Sequence, residues 1–420
     1  MRRKRIMLDR EKVGKALLEQ RKIKGMTQKQ LADLLNVSYQ AISRWEQGIS
    51  LPSVDMMYNI AQVLDTTVDS LLNGLSGERK SISYMDTGLD TKKLYMVKDR
   101  LNSMITPDDR LIYTSVTAPV FFKPNLAGME EPVCSFALHV PGSKERFAMK
   151  NGYDKEICMD LVANASNNLI RFGVRPSVLL ANIVCGNNDS SQLLLMGESL
   201  KKACENNGII FAGLEVAAQA VNYPANEYKI GAVVMGISDK KDIITEHKIV
   251  EGDMLIGLHT DGISSLSYPF IKVILDRRPD IINTKFAGEN TFIDELMKPN
   301  TCYVTVIQEL NKQNLIHGIF VIKKSLLDPK SYAQMPKGFG ASISFASMQM
   351  PALFQYLYDL NMMDRECFLI DFSLGIGMLL AVPQEQCDKA LRLIEKYHKC
   401  YCLGRIEKDE EHPGARAWIV

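Results

Sequence analysis

The stretch NVSYQAISRWEQG, residues 36–48, reads as a turn that feeds a short helix. Asn36 tolerates the left-handed backbone that ends a helix. Ser38 carries the kind of hydroxyl that caps the next one. Upstream, Thr27 stands where an N-cap belongs, at the head of TQKQLADLL. Leu31, Leu35, Ile42 and Trp45 recur at three- and four-residue spacing and so share one buried face, with Val37 packing inward between the two helices. Two helices joined by a turn of three to four residues, the second capped and polar outside, form a helix-turn-helix. Working outward, periodicity predicts five helices, over 10–24, 27–35, 38–46, 53–64 and 67–72. Gly25 ends the first. Pro52 is read as opening the fourth, at a position that tolerates its missing N–H.

The outward residues of the second helix of the pair are Tyr39, Gln40, Ser43 and Arg44. Gln pairs bidentately with adenine and Arg with guanine in the major groove. Gln28 opens the preceding helix, where side chain and backbone amide together can hold a phosphate. The pattern over about residues 11–73 resembles the Cro/repressor type, the XRE family. That resemblance implies Gln28 on the DNA backbone and Tyr39, Gln40 and Arg44 at base edges, with Ser38 and Ser43 beside them. It also implies a double-stranded DNA operator, read by dimers on half-sites about one turn, roughly 34 Å, apart. A merely solvated polar face is the alternative. Against it, the Thr-Gln start, the Asn-Val-Ser turn and the Arg-Trp-Glu-Gln-Gly exit all occur in register.

Charge follows this division. Residues 1–74 hold 12 Lys/Arg against 8 Asp/Glu, a net of +4, and the rest of the chain is net −3. A nucleic-acid-binding end on a neutral body fits that asymmetry. Arg2, Arg3, Lys4 and Arg5 add a basic tip, read as phosphate contacts or as a frayed terminus. The nine cysteines all lie beyond residue 74, and the one close pair, Cys400 and Cys402, lacks the two-residue spacer of a common zinc or redox motif. Free thiols and no metal or other cofactor are the expectation. No apolar run approaches the ~20 residues of a membrane span, and the basic N-terminus has no apolar stretch of a signal peptide behind it. A cytoplasmic protein without membrane contact is expected.

Asn73–Lys80, NGLSGERK, breaks the helical period and is the best linker candidate. The domains read as a head at 1–74, a linker at 75–82, and a body in two halves, 83–262 and 263–420. In the body, apolar runs of strand length alternate with helical stretches. PVCSFALHV, SVLLANIVC, IIFAGLEV, KIGAVVMGIS and DMLIGLHT read as strands; residues 153–173 and 188–208 read as helices. Past residue 263 come more helices, then strand-like ASISFA and ECFLIDFSLGIGMLLAV, a helix at 384–397 and a last strand near 401–406. The fold class is multidomain: an all-α five-helix head followed by an α/β (α+β) body.

A collinear series of segments resembles phosphoribosylformylglycinamidine cyclo-ligase, or AIR synthetase, an ATP-dependent enzyme family of purine synthesis. SYMDTGLD (83–90) resembles its opening. EICMDLVANASNNLIRFGVRPSVLLANI, FAGLEVAAQA, VEGDMLIGLHTDGISS, LMKPNTCYV, LIHGIF and FSLGIGMLLAVP follow in order. The resemblance implies an AIR-synthetase-type body whose first sheet pairs with a second copy in a homodimer. It also implies carboxylates that hold magnesium on ATP phosphates. Here the chain departs from the pattern. His139 and Val140 stand in the DGVGTK-like loop, of which Gly142 and Lys144 survive. Asn167-Asn168 replaces an Asn-Asp pair. Ala181, Ala218 and Lys229 occupy acidic positions, Ser264 replaces a histidine, and Lys323-Lys324 fills the glycine-rich phosphate loop.

Acids became neutral or basic and glycines became bulky, which removes metal ligands and blocks backbone approach to phosphate. The expectation is therefore a body that is not an enzyme, with no catalytic residue. It would dimerise and sense a nucleotide or purine-pathway metabolite in an altered pocket. Asp86, Asp90, His139, Gly142, Lys144, Asn168, Glu215, Lys323 and Lys324 are its candidate lining, with Asp160 nearby. Two alternatives stay open: an active ATP-dependent AIR-synthetase-like enzyme with a DNA-binding head, and a scaffold that binds no ligand.

Overall fold

A computed structural model describes residues 9–73, 87–113, 120–186, 189–224, 227–286, 289–411 and 416–420. The chain forms two compact units, Met1–Asp86 and Thr87–Val420. Arg2 to Arg5 and the 75–82 linker lie outside the described residues.

The described part of the head is five helices, α1 (Arg10–Ile23), α2 (Gln28–Leu35), α3 (Tyr39–Glu46), α4 (Val54–Val63) and α5 (Val68–Asn73). Local chemistry sets their ends. Thr27 and Gln30 form a capping box, each side chain bonding the other's backbone amide. Asn36 takes the left-handed conformation, at φ 56° and ψ 42°. Ser38 caps α3 by accepting from the amide of Ala41. Leu17, Leu31, Ile42, Ile60 and Leu71 are buried in one core, against which Val37 and Trp45 pack half-exposed. The fourth helix differs from expectation. Ser53 is its N-cap and its hydroxyl accepts from the amide of Met56. Pro52 therefore lies one residue ahead of the cap, because a hydroxyl acceptor ends the orphan amides better than a proline can.

The body opens with α6 (Thr91–Ser103) and a small ribbon of β1 (Leu111–Tyr113) and β2 (Phe121–Phe122). Next come β3 (Pro132–His139), α7 (Ser143–Asn151), α8 (Asp154–Ile170), β4 (Arg175–Cys185), α9 (Ser190–Asn206), β5 (Ile210–Ala218) and β6 (Tyr228–Asp239). These strands form a four-stranded mixed sheet in the order β3-β6-β4-β5. Only β4 and β5 run parallel, and α9 supplies the crossover that parallel neighbours require. Leu179, Ile183, Leu214, Val216 and Val234 bury the inner face against α8 and α9. Strand alternation sends Phe136, Leu138, Leu180 and Val233 to the opposite face, where they stay exposed.

A second sheet follows, with β7 (Met254–His259), α10 (Tyr268–Arg277), α11 (Phe292–Met297), α12 (Val304–Lys312), β8 (Gly318–Val321), β9 (Phe339–Ile343), α13 (Ala352–Asp359), α14 (Arg365–Asp371), β10 (Ile376–Val382), α15 (Cys387–Ile394), β11 (Cys400–Lys408) and β12 (Ala417–Ile419). Its order is β12-β9-β11-β7-β10-β8. The run 366–382, read from sequence as strand, is a helix and then a strand. Asp364 caps α14 by accepting from the amide of Cys367 at 2.7 Å, and the strand begins only after the left-handed Leu374 and Gly375. Ile271, Phe292 and Phe354 from the second half share one core with Leu161 and Leu179 from the first. The two halves therefore meet through packed side chains, and a cavity opens at that seam.

Candidate functional site

The cavity measures about 390 Å³. Its wall is drawn from six chain segments. The β3–α7 turn gives His139, Val140 and Gly142; α8 gives Asn164, Asn167 and Asn168. The β7–α10 loop gives Thr260, Gly262, Ser264 and Ser265, and the approach to α12 gives Asn300, Thr301 and Tyr303. Lys323 comes from the turn after β8, and Ser373 and Gly377 from the start of β10. No carboxylate among the described residues lines it.

Side-chain amides hold this wall in shape. Asn167 donates to the carbonyl of Thr301 at 2.8 Å and accepts from the amide of Tyr303 at 3.0 Å. Asn300 donates to Asn164 at 3.2 Å. Tyr303 donates its hydroxyl to the carbonyl of His259 at 2.7 Å. Two glycines are required by close approach. A Cβ on Gly262 would lie 2.5 Å from the Asn300 side chain, and one on Gly377 would lie 2.4 Å from the Tyr303 hydroxyl. Gly142 has a different reason, a φ of +63° at the turn into α7.

Behind the wall is a closed ion pair. Lys144 donates to Asp160 at 2.8 Å, with both side chains 1% exposed. Lys144 also reaches the carbonyl of Lys298 at 2.7 Å. Asp160 further accepts from the amide of Asn300 at 2.8 Å and from Asn164 at 3.0 Å. His139 sits on the cavity side. Burial lowers its pKa below the ordinary imidazole value, with Asp160 opposing more weakly, so the ring is neutral at pH 7.

The sequence-derived set is only partly brought together. His139, Gly142, Asn168 and Lys323 line the cavity. The rest do not. Lys144 is consumed by Asp160. Lys324 turns to form an ion pair with Asp371 and lies 5.6 Å from the Phe270 ring centre. Glu215 is on the outward face of the first sheet, paired with Lys98 at 2.8 Å. Asp90 caps α6, accepting from the amide of Lys93 at 3.0 Å. Asp86 lies outside the described residues. Asn164, Asn167, Thr260, Asn300 and Tyr303 were missed. The three asparagines of α8 at helical spacing were the one available signal.

The magnesium ion that the resemblance implies does not fit these residues. Such an ion needs several charged oxygen ligands in near-octahedral order. Asp160 is enclosed by three donors, and Asp371 is buried beside Lys324. No group of three His, Cys, Asp or Glu side chains among the described residues can hold a metal.

In the head, Tyr39, Gln40 and Arg44 are exposed on α3, and Ser43 is half-exposed. Gln28 is otherwise engaged. Its amide donates to Glu46 at 2.6 Å, and Glu46 also accepts two bonds from Arg21, at 2.5 and 2.9 Å. Its backbone amide at the start of α2 is what remains for a phosphate.

Comparison with known proteins agrees with both units. A helix-turn-helix family pattern matches residues 17–71, which supports DNA binding. The phosphoribosylformylglycinamidine cyclo-ligase of Oceanobacillus iheyensis is 29% identical over 333 residues, 78% of this chain and 97% of that protein. That of Bacillus cytotoxicus is 30% identical over 283 residues, 67% of this chain and 82% of that protein. Among solved structures, the hydrogenase maturation protein HypE of E. coli has a TM-score of 0.53 at 12% identity, covering 79% of this chain and 93% of that one, and shows the fold. No helix among the described residues is long and apolar enough to cross a membrane.

The expectation that the body is not an enzyme is corrected by these relatives. Proteins named as cyclo-ligases match it across most of its length, and lost acids at a handful of positions do not outweigh that likeness. Beyond its helix-turn-helix head, the chain belongs to the phosphoribosylformylglycinamidine cyclo-ligase family.

Proposed function

We propose that this chain reads DNA with its head and recognises a phosphorylated ligand of the nucleotide or purine-precursor class with a cyclo-ligase-type enzyme body. The observation that carries the second part is the cavity. Among the described residues it is built from amides and hydroxyls, is held open by two obligatory glycines, and presents one cation. A phosphorylated, hydroxyl-rich molecule is what such a wall recognises. The DNA-reading surface is the exposed face of α3, with Tyr39, Gln40 and Arg44 at base edges, Ser38 and Ser43 beside them, and the α2 N-terminus at Gln28 on the backbone.

A homodimer fits both units. The outward face of the first sheet exposes Phe136, Leu138, Leu180 and Val233 together, a contiguous apolar surface of the kind that pairs with a second copy. A two-fold dimer also presents two heads to two half-sites.

The enzymatic part is tested by incubating the full chain with ATP and phosphoribosylformylglycinamidine, in magnesium and in EDTA, and following phosphate release. Release that depends on both compounds is the expected result. Ligand-dependent thermal stabilisation without any release would confine the body to binding.

A further inference from the structure

We infer that the cavity takes its phosphorylated ligand as a free anion, without a divalent cation. This rests on the ligand class proposed above and concerns how that ligand is held. Three observations converge. First, among the described residues the wall carries no carboxylate, so it offers a bridging metal no ligand of its own. Among the described residues, the buried acids near it are already matched, Asp160 by Lys144, Asn300 and Asn164 and Asp371 by Lys324, while the exposed Asp261 lies 3.3 Å from His259 and does not line the wall. Second, the one cation on the described wall is unspent. Lys323 lines the cavity, and its ammonium forms no ion pair or hydrogen bond among the described residues. Its neighbour Lys324 and the buried Lys144 both face acids, which leaves Lys323 as the group aimed at a ligand. Third, neutral donors stand around it. Asn168 and Ser265 line the same space, and neither side chain bonds another described residue.

The chemistry follows from this inventory. A phosphate ester presents three acceptor oxygens and a charge of about −1.5 to −2 at pH 7. Metal-dependent sites neutralise that charge with the ion, which must in turn be held by protein carboxylates. Here a lysine neutralises part of the charge directly, as a compact ammonium can. An amide and a hydroxyl supply donors, and the neutral His139 ring adds no second positive charge. A bound magnesium ion would instead bring positive charge next to Lys323 with no acid on the described wall to hold it.

The test is thermal unfolding of the full chain with AMP, ATP, ribose 5-phosphate and inorganic phosphate, each in EDTA and in magnesium, for the native sequence, Lys323→Met and Lys323→Arg. Lys323 is exposed, so the unliganded variants should melt with the native chain. The inference predicts stabilisation by at least one phosphorylated compound in EDTA that magnesium does not increase. It predicts a roughly ten- to hundredfold weaker apparent affinity in Lys323→Met, the loss of one charge-assisted hydrogen bond, and partial recovery in Lys323→Arg. Stabilisation that requires magnesium would overturn the metal-free mode and leave the ligand class standing. Stabilisation in EDTA that Lys323→Met does not weaken would place the ligand elsewhere and overturn it too. Silence from every compound in both media would remove the ligand class itself.

Discussion

Asp160→Ala should destabilise the body by about 3–5 kcal/mol, the usual consequence of leaving one member of a buried ion pair without its partner. Lys144 is 1% exposed and would keep only the carbonyl of Lys298 as an acceptor. The amide of Asn300 and the side chain of Asn164 would lose acceptors as well. Urea unfolding of the full chain checks this through the midpoint of the body's transition. Lys144→Met combined with Asp160→Leu removes both charges and should lose less than the sum of the single losses, because the two groups are coupled. It should not recover fully, since Asn300 and Asn164 still lack partners. Single variants within about 0.5 kcal/mol of the native chain, the range of ordinary surface changes, would show that the pair is not closed as described. The change also reaches the cavity. Asp160 ties α8 to the segment carrying Asn300, so its loss should loosen that wall and weaken ligand binding along with stability.

The second large effect belongs to the head. Arg44→Ala and Gln40→Ala should each cost about 1–3 kcal/mol of discrimination, the range for a bidentate base contact. The double variant should then lose roughly thirty- to twenty-thousandfold in affinity for a selected duplex. Both residues are exposed on α3, so the head should fold unchanged. Fluorescence anisotropy with labelled duplex measures the loss, and circular dichroism verifies the helices. An affinity unchanged in the double variant would mean that α3 is not the reading element. Glu46 is the wrong control. It is buried and holds both Arg21 and Gln28, so its removal would unfold the head as well as disturb the DNA surface.

The head was nearly all legible in the sequence because its signals are local. A capping hydroxyl, a left-handed asparagine and a three-to-four apolar period each act within one helical turn, and the structure shows all three at Thr27, Asn36 and Leu31. Pro52 was misplaced by two residues, since the helix begins at Val54, because two local preferences competed and the Ser53 hydroxyl prevailed. In the body, strands such as 229–238 stood out as unbroken apolar runs. The run at 366–371 did not resolve, since a short buried helix and a short buried strand look alike in composition.

The cavity was less legible, for a different reason. Whether a lysine faces a ligand depends on the acids that tertiary folding sets beside it. Lys144 meets Asp160 from the next helix, and Lys324 meets Asp371 from far along the chain. Lys323, one residue away, meets neither. Asn300 and Thr260 sit in loops with no pattern to mark them, and only the seam between the two halves brings them to the α8 asparagines. The family's order of segments carried the fold across, whereas the altered positions gave no account of what replaced the acids.

The most direct test of a DNA reader joined to a ligand-binding cyclo-ligase body is selection of random-sequence duplexes by the full chain, followed by affinity measurement on the enriched duplex with and without AMP and ATP. The account predicts enrichment of two related half-sites spaced by about one helical turn. It also predicts a change in affinity on adding the nucleotide that stabilises the body, in the ordinary range of about 5–150-fold for coupled sites. No enrichment over the Gln40→Ala/Arg44→Ala double variant, or an affinity indifferent to a nucleotide that demonstrably binds, would contradict it.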